Sequence, residues 1–245
     1  MASSSDANKR GATSDEPIDL GSTDEDEPRD ATSAPSLPVR KQARMSLPAG
    51  ASELRGVNVP PGWAVHGGSL LVRAFGDPQP SATVAAFDFD GCLADTPLGG
   101  NDPKAWKMQY AHVPTVLADL HSTGHAIVII TNESMDRFKK PEAIRGCVLK
   151  KTGRLEAFAA ACNVPMLTLC PTAKDTYRKP AAGSWQFFTA SCNGGLAVDS
   201  EKSFFVGDAA GRPGDHSDAD IAFARAAGLP FHDEKSFFER LHPPK

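Results

Sequence analysis

The sequence predicts an α/β fold with a mostly parallel sheet and helices on both faces. Three apolar runs carry that expectation: Val84-Ala-Ala-Phe87, Ala126-Ile-Val-Ile-Ile130 and Ser203-Phe-Phe-Val206. Apolar runs this short, bounded by turn formers, read as buried parallel strands. Each ends in a polar group of a different kind, namely Asp88-Phe-Asp90-Gly91, Thr131-Asn132 and Gly207-Asp208. In an open α/β sheet the reactive groups gather beyond the carboxyl ends of the strands, so chemistry is expected there.

The other elements follow in chain order. Trp63 and Ser69-Leu-Leu-Val-Arg-Ala-Phe75 read as a strand, and Gly76-Asp-Pro-Gln-Pro80 as the turn into the Val84 strand. Val113 to His121 has apolar residues at helical spacing, with Pro114 suited to a first turn and Gly124 to a stop. It leads back to the Ala126 strand and completes a βαβ unit. From Glu142 to Asn163, Ile144, Val148, Leu155, Phe158 and Cys162 recur at helical intervals, although Gly146 and Gly153 lower the propensity. Met166 to Cys170 is a further strand, Trp185 to Cys192 a short helix, and Ala219 to Ala227 a helix closed by Gly228. Alternation of strand and helix at this rhythm gives the layered sheet.

Composition divides the 245 residues near position 55. Residues 1–55 hold one Ile, no aromatic residue and many Ser, Asp, Glu and Pro, so they are expected to be a disordered acidic and polar tail. Residues 56–245 hold all three Trp and all thirteen Phe, enough for an independent core. The net charge of −4 lies mostly in the tail, so no global field selects a partner, and a nucleic acid has to be met by a local basic patch. Five cysteines at irregular spacing, with no CxxC pair and no secretory leader, argue for reduced thiols inside the cell and against a zinc module. No apolar run reaches the roughly 20 residues of a membrane span.

Asp88 and Asp90 stand one residue apart at a strand end, where the chain turns at Gly91 and can aim both carboxylates into one crevice. Alone, an Asp-x-Asp is equally a surface turn. The buried runs before Asp88 and Asp208 favour use over accident, because ionised groups beside apolar strands are costly unless paired. A hard divalent cation such as Mg²⁺ is the simplest compensation, with Asp208 as a third oxygen ligand. Thr131 and Asn132 offer a hydroxyl and an amide to phosphate oxygens, or an ordinary strand cap. Lys179, ahead of Pro180, offers a cation or is a solvated loop residue.

In this order the four elements resemble the motifs of the haloacid dehalogenase superfamily. The longer strings Tyr177-Arg-Lys-Pro-Ala-Ala-Gly-Ser-Trp185, Phe204-Phe-Val-Gly-Asp-Ala-Ala-Gly-Arg-Pro213 and Ser217 to Phe231 resemble the phosphatase half of the polynucleotide kinase 3′-phosphatases, over roughly Trp63 to Phe238. The resemblance implies a Rossmann-like haloacid dehalogenase fold, Asp88 as nucleophile, Asp90 as general acid and base, and Lys179 as charge partner. It also implies Mg²⁺ held by Asp88, Asp90 and Asp208, and DNA 3′-phosphate ends as substrate. Arg178 and Arg212 lie inside the family strings and are expected near substrate phosphate, the alternative for Arg212 being an ion pair with Asp215 or Asp220. Asp220 is expected to be structural. Cys92 departs from the Thr or Val usual at its position, which puts one local hydrogen bond in question. No Gly-x4-Gly-Lys-Ser/Thr loop occurs, so a kinase activity is not expected.

Two other readings stand beside this one: a superfamily phosphatase of small sugar phosphates, and a catalytically idle scaffold that binds DNA ends. In the tail, Glu16-Pro-Ile-Asp-Leu20 and the acidic run after it read as a solvated linker or as a segment that adds a strand to a repair partner. Arg40-Lys-Gln-Ala-Arg44 is a short basic run compatible with a nuclear address.

Overall fold

The computed structural model describes residues 44–97 and 99–244. A seven-stranded sheet organises them. Its strands are β3 (Ala64–His66), β4 (Leu70–Phe75), β5 (Val84–Phe87), β8 (Ala126–Ile130), β9 (Met166–Pro171), β10 (Phe204–Gly207) and β11 (Phe231–Asp233). They lie in the order β11-β10-β5-β8-β9-β4-β3. The five strands from β11 to β9 run parallel, and β4 and β3 add an antiparallel edge. The mostly parallel sheet expected from the apolar runs is therefore present.

Residue alternation sorts the core into two layers. On one face Ala85, Phe87, Ile127 and Ile129 meet α1 (Val113–Ser122) and α2 (Pro141–Cys162), through residues that include Leu117, Val148 and Phe158. On the other face Val84, Ala86, Val128 and Ile130 meet Trp185 of α3 (Gly183–Phe187) and Phe223 of α4 (Ala219–Ala227). Both faces of each central strand are thus covered, which explains why these strands read as continuous apolar runs. The α3 helix continues as a π-helical turn over Phe188–Cys192, in the place of the short helix expected to Cys192.

The smallest elements escaped the sequence. A hairpin of β1 (Glu53–Leu54) and β2 (Val57–Asn58), and a second of β6 (Ala94–Asp95) and β7 (Lys107–Met108), have two-residue strands too short for any period. The first hairpin moves the expected boundary at residue 55. Leu54 is fully buried in the core, Ala51 bridges Val65, and Met45 and Leu47 pack against the α3 and α4 layer. A few apolar anchors inside a Ser-, Pro- and Gly-rich stretch are enough to tie it down. The readings of the tail at Glu16 to Glu27, and of Arg40 to Ala43, lie outside the described residues. Among the described residues all five cysteines are free and buried, and no helix is long and apolar enough to cross a membrane.

Candidate active site

The parallel strands end in one crevice of about 650 Å³, lined by residues that include Asp88, Asp90, Thr131, Arg178, Lys179 and Asp208. Asp88 follows β5, and its N–H donates to the carbonyl oxygen of Val206 in β10, which continues the ladder one residue past the strand. Gly91 then turns the chain with φ of 84°, a conformation that favours glycine. A Cβ at Gly91 would also lie 2.6 Å from Oδ2 of Asp208, so the turn brings the two motifs together. Gly207 has the same role on the other side, because a Cβ there would lie 2.3 Å from Oδ2 of Asp220.

Asp88, Asp208 and Asp220 offer carboxylate oxygens that all lie within 4.8 Å of one another. Lys179, itself buried, reaches into this group: its Nζ donates to Asp88 Oδ1 at 2.5 Å and pairs with Asp220 Oδ1 at 2.8 Å. Burial pushes the Asp88 carboxyl up to about 8; Lys179 opposes this and Asp220, Asp208 and Asp90 reinforce it. Burial and then Asp220 raise Asp208 to about 6. Burial also works against the charge of Lys179, yet Asp220 and Asp88 outweigh it and hold the lysine above its ordinary range. Three carboxylates against one ammonium leave an excess of acidic groups in a largely buried site. An all-oxygen donor set with that excess fits a hard divalent cation such as Mg²⁺.

Asp90, an expected metal ligand that lines the same crevice, has a second set of side-chain partners. The Asp90 carboxylate belongs to a different cluster, bonded to Thr96 Oγ1 at 2.7 Å, to Thr131 Oγ1 at 3.3 Å and to Lys151 Nζ. Burial opposes its charge, but Lys151 and then Thr96 outweigh burial and hold Asp90 below the ordinary carboxylate range. Asp220 takes the third place among the carboxylates. It is 2 % exposed at the start of α4, and its Oδ2 accepts the N–H of Ala209 at 3.0 Å. Asp220 thus stands in the first turn of α4, the helix-start position expected of it, and its carboxylate also lies beside those of Asp88 and Asp208.

Two expected phosphate ligands have other partners. Asn132 lines the crevice, but its side chain holds Lys179: Nδ2 donates to the Lys179 carbonyl at 3.1 Å and Oδ1 accepts its N–H at 3.2 Å. Arg212 is not at the crevice. Its guanidinium bonds Asp215, Asp233, Glu234 and the carbonyl oxygen of Asp208, so the ion pair with Asp215 named as the alternative is present. Arg178 does line the crevice, and its Nη1 is buried without a hydrogen-bond partner. Cys92 donates through its thiol to the Val206 carbonyl at 3.5 Å, which settles the local hydrogen bond its substitution put in question.

Lys151 was missed by sequence reasoning. It is fully buried, donating to Asp90 and, at 2.8 Å, to Thr131 Oγ1. Burial opposes its charge, yet Asp90 outweighs burial and keeps the lysine above its usual range. The available signal was periodic: Val148, Lys151 and Leu155 fall at i, i+3 and i+7, which puts a lysine on the apolar face of α2. Asp220 had the same signal, three and four residues before Phe223 and Ala224, which are buried in α4.

The family model described as polynucleotide kinase 3 phosphatase matches residues 83–238. The polynucleotide 3′-phosphatase ZDP of Arabidopsis thaliana is 39% identical over 213 residues, covering 82% of this chain and 30% of that protein. A bifunctional polynucleotide phosphatase/kinase of Schizosaccharomyces pombe is 31% identical over 173 residues, covering 69% of this chain and 41% of that protein. The chain therefore spans less than half the length of either relative. Among solved structures, a D,D-heptose 1,7-bisphosphate phosphatase from B. bronchiseptica, complexed with magnesium and phosphate, aligns over 61% of this chain and 78% of its own at 18% identity and a TM-score of 0.46. With its family strings matched from residue 83 to residue 238, the chain belongs to the polynucleotide kinase 3 phosphatase family.

Proposed function

We propose that this protein is a Mg²⁺-dependent polynucleotide 3′-phosphatase that removes phosphate from DNA 3′ ends during strand-break repair, through an aspartyl phosphate on Asp88. The observation that carries the reading is the pairing of two carboxylates with separate environments. Asp88 sits among carboxylates and Lys179, and Asp90, two residues on, is held apart by Lys151, Thr96 and Thr131.

In the first half-reaction an Asp88 oxygen attacks phosphorus, the bond from phosphorus to the sugar 3′-oxygen breaks, and Asp90 delivers a proton to that oxygen. The approach of an anionic phosphate raises the proton affinity of Asp90 for this step. In the second half Asp90, again a carboxylate favoured by Lys151, takes a proton from water. The water oxygen displaces Asp88 from phosphorus and releases inorganic phosphate. Lys179 offsets charge on the transferring group, and Arg178 offers its free N–H to a phosphate oxygen. Asp88, Asp208 and Asp220 would hold the divalent ion, which supplies further charge neutralisation when bound.

The family assignment and the small local set of cations support a substrate read at its terminal nucleotides rather than along a duplex. The short basic run ending at Arg44 supports a nuclear location, and the acidic tail supports contacts with repair proteins. The test compares kcat/KM on a short 3′-phosphorylated DNA, the same strand with a 5′-phosphate, and a panel of sugar phosphates, each with Mg²⁺. Preference for the 3′-phosphorylated strand is expected. Faster turnover of sugar phosphates would replace the reading with a small-molecule phosphatase, and no turnover at all would leave a DNA-end-binding scaffold.

A further inference from the structure

Next to the crevice lies a second cleft of about 410 Å³, and Asp90 and Thr96 line both. One wall is α2, where Cys147, Lys150 and Arg154 fall at i, i+3 and i+7 and share a face. Arg154 is 3% exposed, and its Nη2 is buried without a hydrogen-bond partner. Its Nε donates to the carbonyl oxygen of Asp102 at 3.4 Å. A buried guanidinium N–H with no acceptor is costly. Lys150 and Arg137 also line the cleft, with Lys150 3.1 Å from Glu133, so three cations face two carboxylates. One of the two, Asp90, is already engaged by Lys151.

We propose that this cleft receives the internucleotide phosphodiester adjacent to the reactive 3′-phosphate, with Arg154 donating to its non-bridging oxygens. The proposal rests on the 3′-phosphatase reading. In that reading the leaving oxygen belongs to the terminal sugar and takes its proton from Asp90. The sugar and the rest of the strand on its 5′ side therefore lie on the Asp90 side of the crevice, and the second cleft opens there. A planar guanidinium suits a phosphodiester, whose two free oxygens it can meet with parallel N–H groups. The protein then selects a polynucleotide end over a small phosphate ester by a charge it touches one nucleotide away from the chemistry.

The test is steady-state kinetics on two 3′-phosphorylated oligonucleotides that differ only at the last internucleotide linkage, a natural phosphodiester in one and a neutral methylphosphonate in the other. Wild-type protein is expected to favour the diester in kcat/KM by about ten- to a hundredfold, the range for a hydrogen bond to a charged group. Arg154→Met should bring the ratio close to one. Thermal melting checks that this variant folds, and Lys150→Gln, which should lower the ratio, takes its place where it does not. Equal turnover of the two strands by wild type, or a ratio undiminished in the folded variant, overturns the proposal. Failure of wild type to act on either strand is a separate result that removes the phosphatase reading and this proposal together.

Discussion

The side-chain amide of Asn132 grips the main chain of Lys179 at both its carbonyl oxygen and its N–H, at 3.1 and 3.2 Å. The link joins the end of β8 to the loop after β9 and fixes where the Lys179 ammonium enters the carboxylate group. Asn132→Ala is expected to lower kcat by about ten- to a hundredfold, since misplacing a charge by even an ångström weakens transition-state stabilisation. KM should change little. A rise in KM with kcat preserved would return Asn132 to the role of phosphate ligand.

Asp88→Asn should abolish turnover without unfolding the protein. The amide keeps the shape and loses the nucleophile, and a lost covalent step corresponds to several kcal/mol, about a thousandfold or more in rate. Burial and three neighbouring carboxylates already disfavour the Asp88 anion. The metal-free variant should therefore melt no lower than metal-free wild type above about pH 8. Activity within about tenfold of wild type would assign the nucleophile elsewhere.

The raised carboxylates make the stability of the metal-free protein depend on pH. Asp88 and Asp208 titrate at about 8 and about 6 in the fold, against 3.8 for an ordinary aspartate. Between these values the folded chain binds more protons than the unfolded one. Their contribution to stability is complete below about 3.8 and is lost as pH rises through 6 and 8. On the proposed function, Mg²⁺ would bind the deprotonated carboxylates and restore it. The metal-free melting temperature should fall between about pH 5.5 and 8.5, and the rise produced by Mg²⁺ should be larger at the higher pH. Each kcal/mol corresponds to roughly 2–4 °C in a domain of this size. A Mg²⁺ effect independent of pH would remove these carboxylates from the ligand set.

What was legible in the sequence is what repeats or alternates. Val84 to Phe87 and Ala126 to Ile130 are buried on both faces and so read as unbroken apolar runs, and Ala219 to Ala227 with Gly228 read correctly as a helix and its cap. Asp88, Asp90, Lys179 and Asp208 were visible because each follows such a strand or sits in a distinctive string. The partners that decide their chemistry come from elsewhere in the chain. Lys151 reaches Asp90 across 61 positions, and Asp220 reaches Lys179 from the start of a later helix. No local pattern announces which of Asp90 and Asp220 faces the carboxylate group, since that depends on how α4 and β10 meet. Arg212 shows the same limit: its string marks the family, while its partners Asp233 and Glu234 come from 21 and 22 residues on.

The ion pairs of Arg212 lead to a prediction about stability. Its guanidinium ties the loop after β10 to the end of β11, through Asp215, Asp233 and Glu234, and holds the carbonyl oxygen of Asp208 at 2.9 Å. Arg212→Met removes every one of these donors and leaves three carboxylates facing one another. The side chain is 35% exposed, so water screens part of the loss, and a destabilisation of about 1–2 kcal/mol is expected in a denaturant titration. Because Asp208 loses its anchor, the Mg²⁺ concentration for half-maximal activity should rise while KM for the 3′-phosphorylated strand at saturating Mg²⁺ stays near wild type. Unchanged stability together with a raised KM would place Arg212 on the substrate after all.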